Sequence, residues 1–271
     1  MEIEFEGSKL FYHKAGEGKK NILFFHGFGQ DHRIFLPVID VLRHDYTCYS
    51  FDLFFHGQSV WAKGDTPIQK QEWNRLIDLF LNRESIQKFT VVGYSLGGRL
   101  AFTTLELYPT HIEKIILVAA EGLRKNMWYS IATSSPGKNI FRSFINHPNR
   151  FTSLLKMSQY LRLVPKGLVR FVSHQMNTDD KRTRVYFSWL VFSHLNFSIS
   201  DVASLIRHYA IQSIFVFGKT DHIMKMNEAA RIKEHIAEAD IQLIDAGHYE
   251  LIKHLPSHIS EWVNPHSSGE A

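Results

Sequence analysis

The segment Gly-Tyr-Ser-Leu-Gly at positions 93–97 places a serine between two glycines, after an apolar run and before a helical pattern. The G-x-S-x-G spacing is typical of a sharp strand-to-helix turn that exposes a serine hydroxyl for nucleophilic attack. The glycines are needed because a Cβ at either position would clash with the neighbouring strand and helix. The sequence therefore predicts Ser95 as a nucleophile toward a carbonyl carbon.

Two segments near the C-terminus offer the partners that a serine nucleophile needs. A serine hydroxyl requires a base within hydrogen-bond reach, and the base requires a carboxylate that fixes its tautomer. Asp221 follows one predicted strand and His248 follows the last. With Ser95 they lie just past the C-terminal ends of strands, the edge where open parallel sheets place their sites. We predict a triad in which His248 is the base and Asp221 orients it.

The segment His-Gly-Phe-Gly at positions 26–29 follows another apolar run. Attack on a carbonyl generates an oxyanion, which needs two preorganised N–H donors, and losing one costs about 3 kcal/mol. The backbone amides of Phe28 and Leu96 are the predicted donors. For His26 we favour a role in bracing this loop by hydrogen bonding over proton transfer.

Short apolar runs alternate with helical patterns along the chain. A hairpin followed by repeated strand–helix units predicts a mostly parallel eight-stranded sheet with helices on both faces. The predicted strands are Glu2–Glu6, Leu10–Lys14, Asn21–Phe25, Tyr46–Phe51, Phe89–Val92, Lys114–Ala119, Ser213–Phe217 and Ile241–Ile244. The predicted helices between them are Ile34–Arg43, Lys70–Asn82, Leu96–Tyr108, Asn227–Ala237 and Tyr249–Val263.

Residues 122–210 break this alternation, because no buried parallel strand occurs there. Aromatic-rich amphipathic patterns predict a helical insertion in a core made of residues 1–121 and 211–264, with a loose polar tail at 265–271. The helices predicted in the insertion are Phe151–Val164, Lys166–Met176, Asp180–His194 and Ile199–Tyr209.

The positive charge is concentrated in the insertion. The formal net charge of the chain is +4, but residues 122–210 hold 13 Lys and Arg against three Asp, whereas the rest of the chain has a net charge of −6. The insertion could attract anionic substrates, rest on an acidic membrane surface, or present solvated helix faces, and we favour the last. A nucleic-acid partner is least favoured, because no recognition motif accompanies the charge.

The composition excludes several classes of protein. The chain of 271 residues is 44% apolar and 21% charged, which is ordinary for a soluble globular protein. The single cysteine, Cys48, excludes an intramolecular disulfide and a cysteine-based zinc site. No apolar run is long enough to span a bilayer and no signal peptide is evident, so we predict a cytoplasmic protein. The histidines 254 and 258 flank a proline and predict no metal site.

Taken together, these motifs resemble the α/β-hydrolase fold in the order Ser, Asp, His. A further segment, Phe51-Asp-Leu-Phe-Phe-His-Gly-Gln-Ser59, resembles the D-x-x-x-H-G-x-S stretch of that family, and its Asp52 and His56 are interpreted as holding a loop. The resemblance implies that the insertion is a helical lid over the site. Some family members place the triad acid at the position of Glu121, but the Gly-x-x-Asp context favours Asp221.

The candidates for substrate binding are Tyr94, Arg99 and Trp128. The run Gly-Tyr-Ser-Leu-Gly-Gly-Arg-Leu-Ala also resembles the nucleophile region of the menaquinone-pathway synthase that eliminates pyruvate to give 2-succinyl-6-hydroxy-2,4-cyclohexadiene-1-carboxylate. In that enzyme an arginine at this spacing helps to hold an acidic substrate. We favour the simpler interpretation, in which Arg99 forms an ion pair with a residue at the rim.

We therefore predict a serine hydrolase that cleaves a carboxylic ester or related acyl bond of a largely apolar small molecule through an acyl-enzyme. The alternative is a C–C hydrolase or lyase that acts on an acidic cyclic substrate with the same triad. Neither requires a cofactor or a metal. The oligomeric state and the physiological substrate stay open, because lid and pocket shape decide the substrate.

Overall fold

The computed structural model describes residues 1–123, 127–147, 153, 157, 177–224 and 227–264. Within them, eight strands form one sheet in the order β1-β2-β4-β3-β5-β6-β7-β8. The strands are β1 Glu2–Phe5, β2 Ser8–Ala15, β3 Lys20–Phe25, β4 Tyr46–Phe51, β5 Phe89–Tyr94, β6 Ile112–Val118, β7 Gln212–Gly218 and β8 Asp240–Ile244.

The sheet is mostly parallel. The hairpin β1–β2 joins β4 in antiparallel fashion, and all pairings from β4 through β3, β5, β6 and β7 to β8 are parallel. Strands β4 and β5 are buried at every position. Such continuous burial follows when helices cover both faces of a parallel sheet. The predicted fold is confirmed.

Helices flank the sheet and bury its alternating side chains. Helices α1 and α9 pack together on the face formed by Phe24, Val92 and Ile116. Helices α2 and α3 pack against each other, and α3 also packs on β3, β5 and β6. The helices are α1 Leu36–Leu42, preceded by a 3₁₀ turn at His32–Phe35, α2 Lys70–Glu84, α3 Gly97–Leu107, α4 Met127–Thr133, α5 Ser135–Asn146, α6 Asp179–Val191, α7 Ile199–His208, α8 Asn227–His235 and α9 Leu251–Val263.

The chain divides into two compact units. The first comprises residues 1–62, 69–124 and 195–271, and the second comprises 63–68 and 125–194. The main segment of the second unit, 125–194, is shorter than the predicted insertion 122–210. Helix α7 belongs to the first unit, where it packs on α3 and α8. The lid function of the second unit stays a prediction.

The second unit has an aromatic core of its own. The ring of Trp189 contacts those of Tyr129 and Phe141, and Phe141 also contacts Tyr186. Asp65 accepts hydrogen bonds from Tyr186 and Arg142. Several aromatic residues of the predicted insertion therefore pack against one another within this unit.

Several predicted features lie outside the described residues, namely the helices Phe151–Val164 and Lys166–Met176 and the tail 265–271. The sequence did not predict α4 or α5. Their boundary carries a recognisable signal, because the Ser134 hydroxyl accepts from the Gly137 amide and Pro136 occupies the first turn of α5. Among the described residues, no helix combines the length and the apolar character needed to cross a bilayer.

The C-terminal end of α9 is anchored by polar side chains from the sheet. The ammonium group of Lys114 donates to the carbonyls of Trp262 at 2.5 Å and Val263 at 3.2 Å. The Tyr46 hydroxyl donates to Asn264 at 2.7 Å. The last carbonyls of a helix lack partners within it, and a cation there complements the helix dipole. Burial lowers the pKa of Lys114, and the hydrogen bonds to the two carbonyls stabilise its ammonium group in this buried position.

We expect Lys114→Met to lower the free energy of unfolding by about 2 kcal/mol, because it leaves buried carbonyl groups without their charged donor. Urea unfolding measures the change. Lys88→Met is the control, since Lys88 also donates to a backbone carbonyl but is exposed, and its replacement should shift stability by less than about 0.5 kcal/mol. Equal stabilities for the two variants would contradict the anchoring role.

Candidate active site

Ser95 lies on the turn between β5 and α3. Its backbone has a φ of 49°, in the left-handed region that non-glycine residues rarely adopt. The Ser95 amide donates to the carbonyl of Val118 at 3.0 Å, and its carbonyl accepts from the amide of Glu121 at 2.8 Å. The end of β6 therefore holds the serine backbone from both sides.

The glycines beside the serine allow a close approach between elements. A Cβ on Gly97 would lie 2.0 Å from the carbonyl oxygen of Phe25, and one on Gly93 would lie 2.7 Å from the Cβ of Ala101. Both distances are too short for non-bonded heavy atoms. The strand-to-helix turn thus has the tight packing that the motif predicts.

Ser95, His248 and Asp221 form one buried hydrogen-bonded chain. The Ser95 Oγ lies 3.0 Å from His248 Nε2, and His248 Nδ1 lies 2.7 Å from Asp221 Oδ2. An ionised carboxylate only accepts hydrogen bonds, so Nδ1 carries the proton and Nε2 is left to accept from the serine. This is the tautomer that a base acting on the serine requires.

Asp221 is fixed on the loop after β7. Its Oδ1 accepts from the backbone amides of Ile223 at 2.7 Å and Met224 at 2.9 Å, which leaves Oδ2 directed at His248. Its side chain is fully buried. Asp221, and not Glu121, is the carboxylate that contacts the histidine.

The loop 26–29 is held by His26. The ring is fully buried; its Nδ1 donates to the carbonyl of Gly27 at 2.7 Å and its Nε2 accepts from the amide of Leu53 at 3.0 Å. A trans peptide is planar, so fixing the Gly27 carbonyl also fixes the direction of the Phe28 N–H. His26 therefore braces the loop, as the sequence predicts.

The two predicted oxyanion donors are available for a ligand. Within the described part of the chain, neither the Phe28 nor the Leu96 amide donates to another protein group. Leu96 directly precedes α3, where helix N-termini favour negative charge.

The segment after β4 also holds the loop 26–29 by hydrogen bonds. His56 Nε2 accepts from the Gly29 amide at 2.9 Å, and its Nδ1 donates to the Phe54 carbonyl at 2.9 Å. Asp52 accepts from the backbone and the ring of His32 and from the Gln58 amide. Asp52 and His56 therefore hold loops in place, in agreement with their interpretation from the sequence.

Arg99 is engaged by the protein itself. Its guanidinium donates to the carbonyl of Leu195 at 3.0 Å and to Asn196 Oδ1 at 2.9 Å, and its Nε lies 3.5 Å from the carboxylate of Glu121. Arg99 is 3% exposed. The ion pair, rather than the substrate contact, is the arrangement that the structure contains.

The other two residues predicted to bind substrate are Tyr94 and Trp128. Tyr94 is 1% exposed, and its ring packs behind the ring of His248 at 5.6 Å. A contact between Tyr94 and the substrate stays a prediction. Trp128 lies in α4, and its side chain is outside the described residues.

Tyr249 and Ile223, which follow the predicted triad residues closely in sequence, were not predicted as site residues. Tyr249 is 49% exposed and meets the His248 ring edge-on at 5.5 Å, and Ile223, beside Asp221, is 44% exposed. Phe28 is half-buried. Their adjacency to the predicted triad and loop residues was the only sequence signal for them.

One group of side chains in the described part of the chain could share a metal ion, namely Asp31, His32 and Asp52. Their polar atoms already serve the fold, because His32 donates to Asp52 and Asp31 accepts from Arg33. The lowered pKa of Asp31, about 2, follows mainly from the hydrogen bond of Arg33. These contacts account for the group without an ion.

Comparison with known proteins agrees with this architecture. The chain belongs to the α/β hydrolase fold family, because the model of that family matches residues 20–255. Lipase 1 of Psychrobacter immobilis is 23% identical over 255 residues, which cover 92% of this chain and 78% of the lipase. Curated relatives with 31–32% identity are matched over only 31–35% of their own length.

Solved structures share the fold at low sequence identity. A thermophilic esterase from Thermogutta terrifontis superposes with a TM-score of 0.68 at 16% identity, and the match covers 98% of each chain. A meta-cleavage product hydrolase from Pseudomonas fluorescens IP01 superposes with a TM-score of 0.65 at 20% identity, covering 98% of this chain and 97% of that one. The fold therefore accommodates more than one kind of hydrolysis.

The pH dependence of stability tests the neutral state of His26. Burial lowers the pKa of His26 from 6.5 to about 4. Between these values the unfolded chain binds more protons than the folded one, so stability is lost as the pH falls. We expect His26→Asn, which does not titrate, to lose about 2–3 kcal/mol less than the wild type between pH 7 and 4.5.

Urea unfolding at both pH values measures this difference. His254→Asn, which removes an exposed histidine, should leave the pH dependence of the wild type unchanged. If His26→Asn and the wild type lose the same free energy on acidification, the buried imidazole is not the group responsible.

Proposed function

We propose that the protein is a serine hydrolase that cleaves a carboxylic ester or related acyl bond of a largely apolar small molecule. The observation that carries the proposal is the chain of hydrogen bonds from Ser95 through His248 to Asp221, at 3.0 and 2.7 Å. Nucleophile, base and orienting carboxylate in contact are the arrangement that acyl transfer requires.

The proposed reaction proceeds in two halves. Ser95 Oγ attacks the carbonyl carbon while His248 Nε2 takes its proton, and the Asp221 carboxylate stabilises the imidazolium that forms. The Phe28 and Leu96 amides stabilise the oxyanion. His248 then protonates the leaving group, which departs and leaves an acyl-enzyme. A water molecule deprotonated by His248 attacks the ester, and the acid leaves as Ser95 regains its proton.

An apolar substrate is supported by the surroundings of the serine. The exposed ring of Tyr249 contacts His248, and the exposed Ile223 and the half-buried Phe28 are adjacent in sequence to the triad acid and in the oxyanion loop, respectively. Binding sites for small molecules combine such surface with a few polar groups that fix orientation. The reaction involves no redox step and uses only side chains and backbone amides, so the proposal includes no cofactor.

The alternative reaction on an acidic cyclic substrate has less support. It relied on Arg99 as a cation for a substrate carboxylate, but this guanidinium is buried against Leu195, Asn196 and Glu121. Binding an anion there would require these contacts to be exchanged.

Replacing Ser95 tests the proposed mechanism. We expect the wild type to hydrolyse p-nitrophenyl esters and Ser95→Ala to lose at least about 1,000-fold in kcat, because the nucleophile is gone. Ser213→Ala is a matched control: Ser213 is also buried, on β7, and its hydroxyl has no hydrogen-bond partner within the described residues. The control should keep the wild-type kcat. Activity that survives in Ser95→Ala would refute the mechanism.

Replacing Arg99 separates a structural from a substrate-binding role. We expect Arg99→Gln to lower the free energy of unfolding by about 2–3 kcal/mol, because a charged donor of two hydrogen bonds is lost, and to leave KM for a neutral ester within about twofold. Arg33→Gln, which breaks an exposed ion pair with Asp31, should cost less than about 1 kcal/mol.

Chemical denaturation and steady-state kinetics with a neutral and a carboxylate-bearing ester give both readouts. An unchanged stability together with a raised KM for the anionic ester alone would favour the substrate-binding role.

A further inference from the structure

The buried hydroxyl of Tyr94 connects the serine turn to the histidine loop. It donates to the carbonyl oxygen of His248 at 2.9 Å, across 154 residues of sequence. Tyr94 directly precedes Ser95, so the bond ties the backbone of the proposed base to the backbone beside the proposed nucleophile. The Tyr94 ring also packs against the His248 imidazole, at 5.6 Å between centroids.

The side chain of Gln30 continues this connection to the loop 26–29. Its amide oxygen accepts from the Gly27 N–H at 3.0 Å. The Tyr94 ring and the Gln30 amide oxygen lie on the same side of Gly27, where a Cβ would meet them at 3.0 and 3.1 Å. The backbone amide of Gln30 also donates to the Gly27 carbonyl at 3.3 Å. Gln30 therefore fixes Gly27 by two hydrogen bonds. The Gly27 carbonyl lies in the same peptide plane as the Phe28 N–H.

A chain of contacts thus runs from the Gly27 amide through the side chains of Gln30 and Tyr94 to the His248 carbonyl. Its ends lie beside the proposed oxyanion donor and at the proposed base, and its middle lies beside the proposed nucleophile. These three groups come from the loops after β3, β5 and β8, so the contacts of Tyr94 and Gln30 connect loops that are far apart in the sequence. Small errors in such a register reduce catalysis strongly.

We propose that Tyr94 and Gln30 are positioning residues that hold the oxyanion loop and the His248 loop in register with Ser95. The proposal rests on the proposed serine hydrolase function. In the proposed reaction, neither residue contacts the reacting atoms or exchanges a proton. Their effect is confined to geometry, so their loss should lower kcat and leave substrate binding, and hence KM, nearly unchanged.

The test compares two removals of a buried tyrosine hydroxyl that donates to a backbone carbonyl. Tyr94→Phe removes the hydroxyl of the chain and keeps the ring. Tyr46→Phe is the matched control, because Tyr46 is also buried and its hydroxyl contacts the Val263 carbonyl and Asn264, at the end of α9. Kinetics on a p-nitrophenyl ester, the rate of labelling by a fluorophosphonate and urea unfolding are measured for each variant.

We expect Tyr94→Phe to lower kcat and the labelling rate about tenfold with KM within about twofold, and Tyr46→Phe to keep the wild-type kcat at a similar loss of stability. Gln30→Leu, at a half-buried position, should reproduce the loss of kcat if Tyr94→Phe fails to fold. The double variant Tyr94→Phe with Gln30→Leu should lose little more than either single one, because both break the same chain.

Three results would overturn the proposal. Wild-type kcat in a folded Tyr94→Phe variant would do so, and so would equal losses of kcat in Tyr94→Phe and Tyr46→Phe, which would indicate general destabilisation. In both cases fluorophosphonate labelling of wild-type Ser95 would leave the proposed function standing. Absence of that labelling in the wild type would instead refute the proposed function, and the positioning role with it.

Discussion

The left-handed backbone of Ser95 is the constraint on which the rest of the site depends. A non-glycine residue in this conformation costs about 1–2 kcal/mol, so it persists only where the surroundings impose it. Here Val118 and Glu121, at the end of β6, bond the serine amide and carbonyl. The sharp turn also brings α3 against β3, where only glycine fits at position 97. One strained residue thus dictates the close packing of three elements.

Three buried histidines share one pattern of hydrogen bonds and yet differ in chemistry. In His26, His56 and His248, Nδ1 donates to an oxygen and Nε2 accepts from a donor. The first two face backbone carbonyls and amides, which offer no charge to balance an imidazolium. His248 faces a carboxylate and a hydroxyl, so in the proposed reaction it can become charged while it removes a proton. Its hydrogen-bond partners, rather than its burial, suit it to the proposed role of base.

The sheet and the contacts among Ser95, His248 and Asp221 were predictable because each depends on local patterns. Continuous apolar runs mark buried strands, and the motifs at their ends carry the chemistry. An ion pair of Arg99 was expected, but the partners of Tyr94 and the other partners of Arg99 were not predictable, because the direction of a side chain depends on which elements pack against it. Arg99 turns toward Leu195 and Asn196, almost 100 residues away, and no spacing in the sequence reports such a pairing. Gln30 was not predicted as a site residue for the same reason.

The pairing of Arg99 with Glu121 also sets the charge around the serine. The two side chains cancel, which leaves the Asp221 carboxylate as the uncompensated charge of the resting triad. In the proposed reaction an imidazolium and an oxyanion form together, so the net charge of the site is the same in the resting and the tetrahedral states. A neutral substrate preserves that balance, whereas an anionic one would add a second negative charge beside the oxyanion. In the proposed function, the electrostatics of this site therefore favour uncharged acyl substrates.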